Sequence, residues 1–179
     1  MIQRAHLTGT ELDLALTIRA EHARVTLGQT VRIHATLTNL GTEPVTLVDP
    51  GDGSEAGWRT PIIGWSILGP TESDSAPPAG THPDEPPLVP ARSGNVNPLS
   101  RDEIFELAPG EARRLNDWID VPRLRSEGVY RLVFYYRNDP GATVEGLPFD
   151  EHDPVALRQI SDSTACALVS NEIRITVGG

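Results

Sequence analysis

The feature that most constrains this chain is a period of two. Val31, Ile33, Ala35 and Leu37 alternate with Arg32, His34, Thr36 and Thr38. Side chains of an extended backbone point to opposite faces in turn, so this run lays one apolar row and one polar row on a half-buried β-strand. Leu12, Leu14, Leu16 and Ile18 show the same spacing, and Val25 and Leu27 continue it after a break at residues 21 and 22. Residues 129–137 form the strongest extended segment. One of its rows is Tyr130, Leu132, Phe134 and Tyr136; the other is Val129, Arg131, Val133 and Tyr135. The first row is expected inward, because the second carries Arg131 and borders Arg137.

Shorter apolar runs complete the set. Val45 and Leu47 begin a return strand, Ile62–Leu68 holds Trp65, and Ile104–Leu107 reads as another strand. Leu115, Trp118, Ile119 and Val121 predict a strand with a bulge near Asn116 and Asp117. Residues 165–169 and then Ile173, Ile175 and Val177 predict closing strands. Between them lie turn residues: Asn39 to Glu43 around Gly41, a loop at 49–57 with Gly51, Gly53 and Gly57, and Ala108-Pro109-Gly110-Glu111. No segment supports a long amphipathic helix, and no internal repeat is found.

Two stretches break the pattern. Eight of the sixteen prolines lie from Pro70 to Pro98. Proline has no amide to give to a ladder, so 69–101 is read as an insertion lying outside the central strands. The second insertion is 138–163. There Asp153-Pro154 suits the start of a short helix through Ile160, with Val155, Leu157 and Ile160 on its apolar side. The expectation is one domain over residues 1–179: an all-β, antiparallel sandwich with two long irregular loop insertions. Its expected core is Leu14, Leu16, Ile33, Leu37, Leu47, Trp65, Leu107, Trp118, Tyr130, Leu132, Phe134 and Ile175.

Particular motifs carry a family resemblance. Glu127-Gly128-Val129-Tyr130 resembles the turn that opens a late strand of immunoglobulin-like domains, where the tyrosine hydroxyl bonds back to the loop. Leu132 stands where antibody domains place a cysteine. The segment from Leu37 to Val45, with Asn39, Gly41 and Pro44, resembles an early strand-turn-strand of bacterial immunoglobulin-like domains. Phe105-Glu106-Leu107-Ala108-Pro109-Gly110-Glu111, Trp118 and Gly128-Val129-Tyr130 are similar to the later half of the intracellular proteinase inhibitor family. The resemblance covers about a third of the chain and implies an immunoglobulin-like sandwich. Proteinase inhibition is implied as an activity, but no inhibitory residue maps onto this sequence, and both insertions depart from the family pattern.

Charge and cysteine content narrow the function classes. The net charge is −10, and all fifteen basic residues are arginine. A chain so acidic repels phosphate backbones and anionic membrane surfaces, so neither nucleic acid nor membrane is an expected partner. The N-terminal residues carry Arg4, Glu11, Asp13 and Arg19 and lack an uninterrupted apolar core, so a cytoplasmic location is expected. Cys166 is the single cysteine, which excludes an intrachain disulfide and a cysteine-rich zinc site.

Standard catalytic signatures are not met. The loop from Gly51 to Gly57 has the spacing G-x-G-x-x-x-G and is followed by Trp58-Arg59-Thr60-Pro61, not by a helix that would hold a pyrophosphate. Without lysine there is no P-loop of the usual kind. Ser66 lies inside a strand and not at a nucleophile elbow. Cys166 sits between two alanines with no nearby base. His34 falls on a polar strand face.

Metal sites are weighed as an alternative. His82, Asp84 and Glu85 with Glu151, His152 and Asp153 would suit a divalent ion if the two insertions met. Asp49, Asp52 and Glu55, or Asp139, Asp150 and Asp153, offer oxygen ligands for calcium. Turn formation already accounts for these residues, and no cofactor is expected. The expected function is a non-enzymatic binding or scaffold module that recognises another protein through its loops. The candidate contact residues are Trp58, Arg59, Arg92, Asn95 and Asn97, since arginine and tryptophan are common anchors and loops on a rigid sandwich carry recognition. The alternative for Arg59 is an ion pair with an acidic loop.

Overall fold

The computed structural model describes residues 13–57, 59–70, 99–140 and 154–179, and of Trp118 the backbone alone. The described strands are β1 (Leu14–Ala20), β2 (Arg24–Val25), β3 (Arg32–Asn39), β4 (Val45–Val48), β5 (Ile62–Leu68), β6 (Ile104–Leu107), β7 (Ala112–Asp120), β8 (Gly128–Asn138), β9 (Cys166–Val169) and β10 (Ile173–Val177). A 3-10 turn at Arg101–Glu103 precedes β6, and helix α1 spans Pro154–Ser161. The helix lies where Asp153-Pro154 predicts it, with Ala156 and Ile160 buried; Leu157 is half-buried and Val155 exposed.

The strands form an immunoglobulin-like antiparallel β-sandwich. One sheet has the order β1-β3-β7, and the facing sheet has the order β2-β10-β8-β5. β9 pairs with β8 beyond the end of β10, so the two last strands share one side of β8. β4 and β6 form a separate two-stranded ribbon. One pairing departs from the antiparallel expectation: β2 runs parallel to β10. The chain leaves β1 and crosses to the other sheet without reversing, so it meets the last strand in the same sense. β2 ends at once, and Leu27, expected to continue its inward row, is 51% exposed beside the turn that Gln29 N–H closes on Thr26 O.

Inward rows from both sheets make the core. Ile33, Leu37, Leu47, Leu107, Tyr130, Leu132, Phe134, Tyr136 and Ile175 are fully buried, and Leu14, Leu16 and Trp65 nearly so. The side chain of Trp118, the remaining expected core residue, is not described. Trp65 lies 4.8 Å from Phe134, ring to ring, in a tilted arrangement that suits the aromatic quadrupoles. The expected bulge is present. Ile33 faces Ile119 and Ala35 faces Leu115, so residues 116–118 oppose His34 alone, and Asn116 takes a positive φ of 52°.

The tyrosine corner is formed as well. Tyr130 Oη donates to Ser126 O at 3.0 Å and accepts from Ser126 N–H at 3.1 Å. Val48 of β4, Leu99 and Ile104 on either side of the 3-10 turn, and Ile160 of the helix form a small second cluster. Thus the returning root of the first insertion packs against the helix of the second. The first insertion departs next to Pro70, which lies against Gly128 at the opposite end of β8 from Asn138.

Candidate functional site

The end of the sandwich where β4 and β8 finish and β6 begins carries most of the buried polar side chains among the described residues. The loop after β4 is built on Ser54, which is fully buried. Its Oγ accepts from Gly51 N–H at 3.0 Å, its N–H donates to Gly51 O, and its own carbonyl accepts from Ile63 N–H at 3.1 Å. The glycine loop therefore spends its polar groups on its own turns and on β5. It holds no helix N-terminus for a phosphate.

Arg59 is placed inside, not on the loop surface. It is 3% exposed, and its Nη2 lies 2.8 Å from Glu103 Oε1. The second oxygen of Glu103 accepts from Ser100 N–H at 2.7 Å. One carboxylate thus ties the root of the first insertion to the glycine loop. A Cβ on Gly51 would run into Glu103 Oε1 and lie 2.5 Å from the Arg59 guanidinium, so any larger residue here would have to displace the ion pair. As a candidate contact residue, Arg59 is corrected to a brace, because a guanidinium so enclosed offers no surface to a partner. Trp58, Arg92, Asn95 and Asn97 lie outside the described residues.

Beside this brace is an open depression of 660 Å³ lined by Asp49, Arg113, Arg114, Asn116 and Asp117. Arg113 Nη2 bonds Asp49 Oδ2 at 2.5 Å, and its guanidinium lies 4.2 Å from the centre of the Phe105 ring. Asn116 Nδ2 donates to Pro50 O at 2.9 Å, which fixes the bulge to the loop. Asp49 is 8% exposed. Burial pushes its carboxyl above the usual range, against the pull of Arg113. Asp49 Oδ1 and Arg113 Nε are buried without a hydrogen-bond partner among the described residues. The depression therefore presents both signs of charge on a bulged strand.

Sequence reasoning missed this site. In the sequence Asp49 reads as a turn residue or an oxygen ligand for calcium, and Arg113 is not among the candidate contact residues. Its one legible signal was the predicted bend at Asn116, since bulges re-aim the side chains around them.

The other chemical candidates resolve by burial. Cys166 is buried, and desolvation pushes its thiol up to about 12, so it is a small core residue and no nucleophile. Tyr136 is fully buried, and desolvation holds its phenol well above the usual range; its Oη donates to Val48 O at 2.7 Å. His34 is half-buried and its Nδ1 lies 2.8 Å from Asp117 O across the bulge. Among the described residues no three His, Cys, Asp or Glu side chains come together as a metal site. His82, Asp84, Glu85, Asp150, Glu151, His152 and Asp153 lie outside the described residues. Among those described, no helix is long and apolar enough to cross a membrane.

No protein-family model matches the chain, and no curated protein matches it. Solved structures do. One is the CARDB domain of a Pyrococcus furiosus protein in complex with di-metal ions, at 15% identity and a TM-score of 0.39, covering 97% of this chain and 95% of that one. Another is a β-glucosidase from Listeria innocua, at 12% identity and a TM-score of 0.37; the match covers 92% of this chain but 16% of the enzyme. The same enzyme in complex with glucose matches equally.

Proposed function

We propose that this chain is a non-enzymatic recognition module that binds another protein through the loops at the Asp49 end of the sandwich. The observation that carries the reading is the two-signed depression beside a loop braced by the buried Arg59–Glu103 pair. A surface held in one geometry loses little freedom on binding, which is what a recognition loop needs. Arg114 and Asp117 are its exposed charges and Arg113 is half-buried between them and Asp49, and a polar segment of a partner bearing both signs would match them.

The proteinase-inhibitor resemblance is the finer alternative. The residues that carry it do structural work here: Glu111 N–H bonds Ala108 O, Glu111 Oε2 accepts from Ala108 N–H at 2.9 Å, and Tyr130 makes the corner. The test is capture of partners from the native lysate with the intact chain and with Arg113→Glu/Asp117→Arg. A partner held by the intact chain and lost by the variant is expected. Equal capture by both would sink the reading, and a protease among the captured proteins that the intact chain inhibits would replace it with the inhibitor reading.

A further inference from the structure

The outer face of the β2-β10-β8-β5 sheet collects positive charge on a chain of net charge −10. Arg131 of β8 stands directly opposite Arg174 of β10, and Val129 opposite Thr176. Thr176 in turn pairs with Arg24 of β2, and Arg131 pairs with Leu68 of β5 on its other side. Residues directly opposite share a face, so Arg24, Arg131 and Arg174 surround Val129 with Leu68 at the margin. All five side chains are exposed: Arg174 by 74%, Val129 by 53%, Arg131 by 49% and Leu68 by 41%, with Arg24 in the same class.

Like charges directly opposite on a sheet repel each other. Among the described residues one carboxylate answers for two guanidiniums: Glu172 lies 3.6 Å from Arg131 and 3.9 Å from Arg174. Both separations are long for charge-assisted hydrogen bonds, so the arginines keep donors to spare. The clustering sets two guanidiniums against each other and leaves Val129 and Leu68 exposed beside them. A partner with carboxylates around an apolar side chain would relieve the repulsion and cover the apolar pair.

We propose that this sheet face docks an acidic polypeptide segment of a partner protein, with its carboxylates on Arg24, Arg131 and Arg174 and an apolar residue on Val129 and Leu68. The site is separate from the loop depression and stands without that reading. A peptide is favoured over a nucleic acid because the chain as a whole repels a long polyanion, and because Val129 and Leu68 have no counterpart on a phosphate backbone.

The probe is a labelled synthetic peptide of alternating glutamate and valine, titrated into the full chain at low salt and followed by fluorescence anisotropy. Binding is expected, falling at least tenfold in Arg131→Glu/Arg174→Glu with melting unchanged. Arg24→Glu, on the short outer strand, gives a second reading should the double variant melt early. Arg19→Glu/Arg158→Glu makes the same change in net charge away from this face and is expected to bind as the intact chain does. An equal loss in that control, no loss in the face variants, or no binding of the peptide would overturn the proposal. Tighter binding of an oligothymidylate of equal charge would overturn it in favour of a phosphate ligand.

Discussion

Three asparagines tie parts of this molecule together through their side chains. Asn39 is 1% exposed; its Nδ2 donates to Glu43 O at 2.8 Å and Leu107 O at 2.9 Å, and its Oδ1 accepts from Gly41 N–H. It thereby ties the turn after β3 to β6. Asn138 donates to Ser163 Oγ and Thr164 O, both at 2.9 Å, and closes the end of β8 onto β9. Asn171 brackets the N–H and C=O of Ile18, giving the edge of β1 the partner that the sheet does not supply. Asn39→Ala would leave the buried Leu107 carbonyl without this donor and should cost about 1–3 kcal/mol by urea denaturation. Asp49 provides a test in pH. Its folded-state pKa is raised above 3.8, so the folded chain holds this proton more tightly than the unfolded one does. The stability of the intact chain relative to Asp49→Asn should be greatest below the unfolded value and fall as pH rises through the folded one. Denaturation at several pH values between about 3 and 7 reads this slope; an advantage that grew with pH would mean that the Arg113 pair outweighs burial. In the sequence Asn39 reads as a turn former and Asp49 as a turn former or calcium ligand, and Asn138 and Asn171 are not singled out, because a polar side chain does not announce which distant backbone group it will meet.

Elements were the most legible level. Period-two alternation places β3 and β8 with their inward rows as expected, because burial on one face of a strand forces it. The turn from β6 to β7 was equally plain. Pro109 fixes one φ, Gly110 supplies +76°, and Glu111 N–H closes onto Ala108 O at 3.0 Å. Nothing lies within 4 Å of a Cβ placed on Gly110, so Gly110→Ala tests backbone conformation alone. It should lower stability by about 1 kcal/mol, measured as a shift in denaturation midpoint with unchanged slope. The ribbon of β4 and β6 was not legible as a separate sheet. Its strands are four residues each, and apolar alternation states that a face is buried without saying against which sheet.

For the whole molecule, the two-layer core accounts for the fold. Ile33 is fully buried in the apolar cluster between the sheets. Ile33→Asp should abolish cooperative unfolding or cost more than about 4 kcal/mol, since an unpaired charge would replace packed hydrocarbon. An unchanged denaturation midpoint would refute the placement of β3. What the sequence determined by itself was the set of strands, their inward faces and most of their turns. Those depend on alternation and on local φ preferences, which are properties of neighbours in the chain. Only the tertiary structure decided that Arg59 turns inward to Glu103, that Leu99 and Ile160 meet, and that three arginines from three strands share a face. Each of these depends on strand order and register, which bring together residues far apart in sequence.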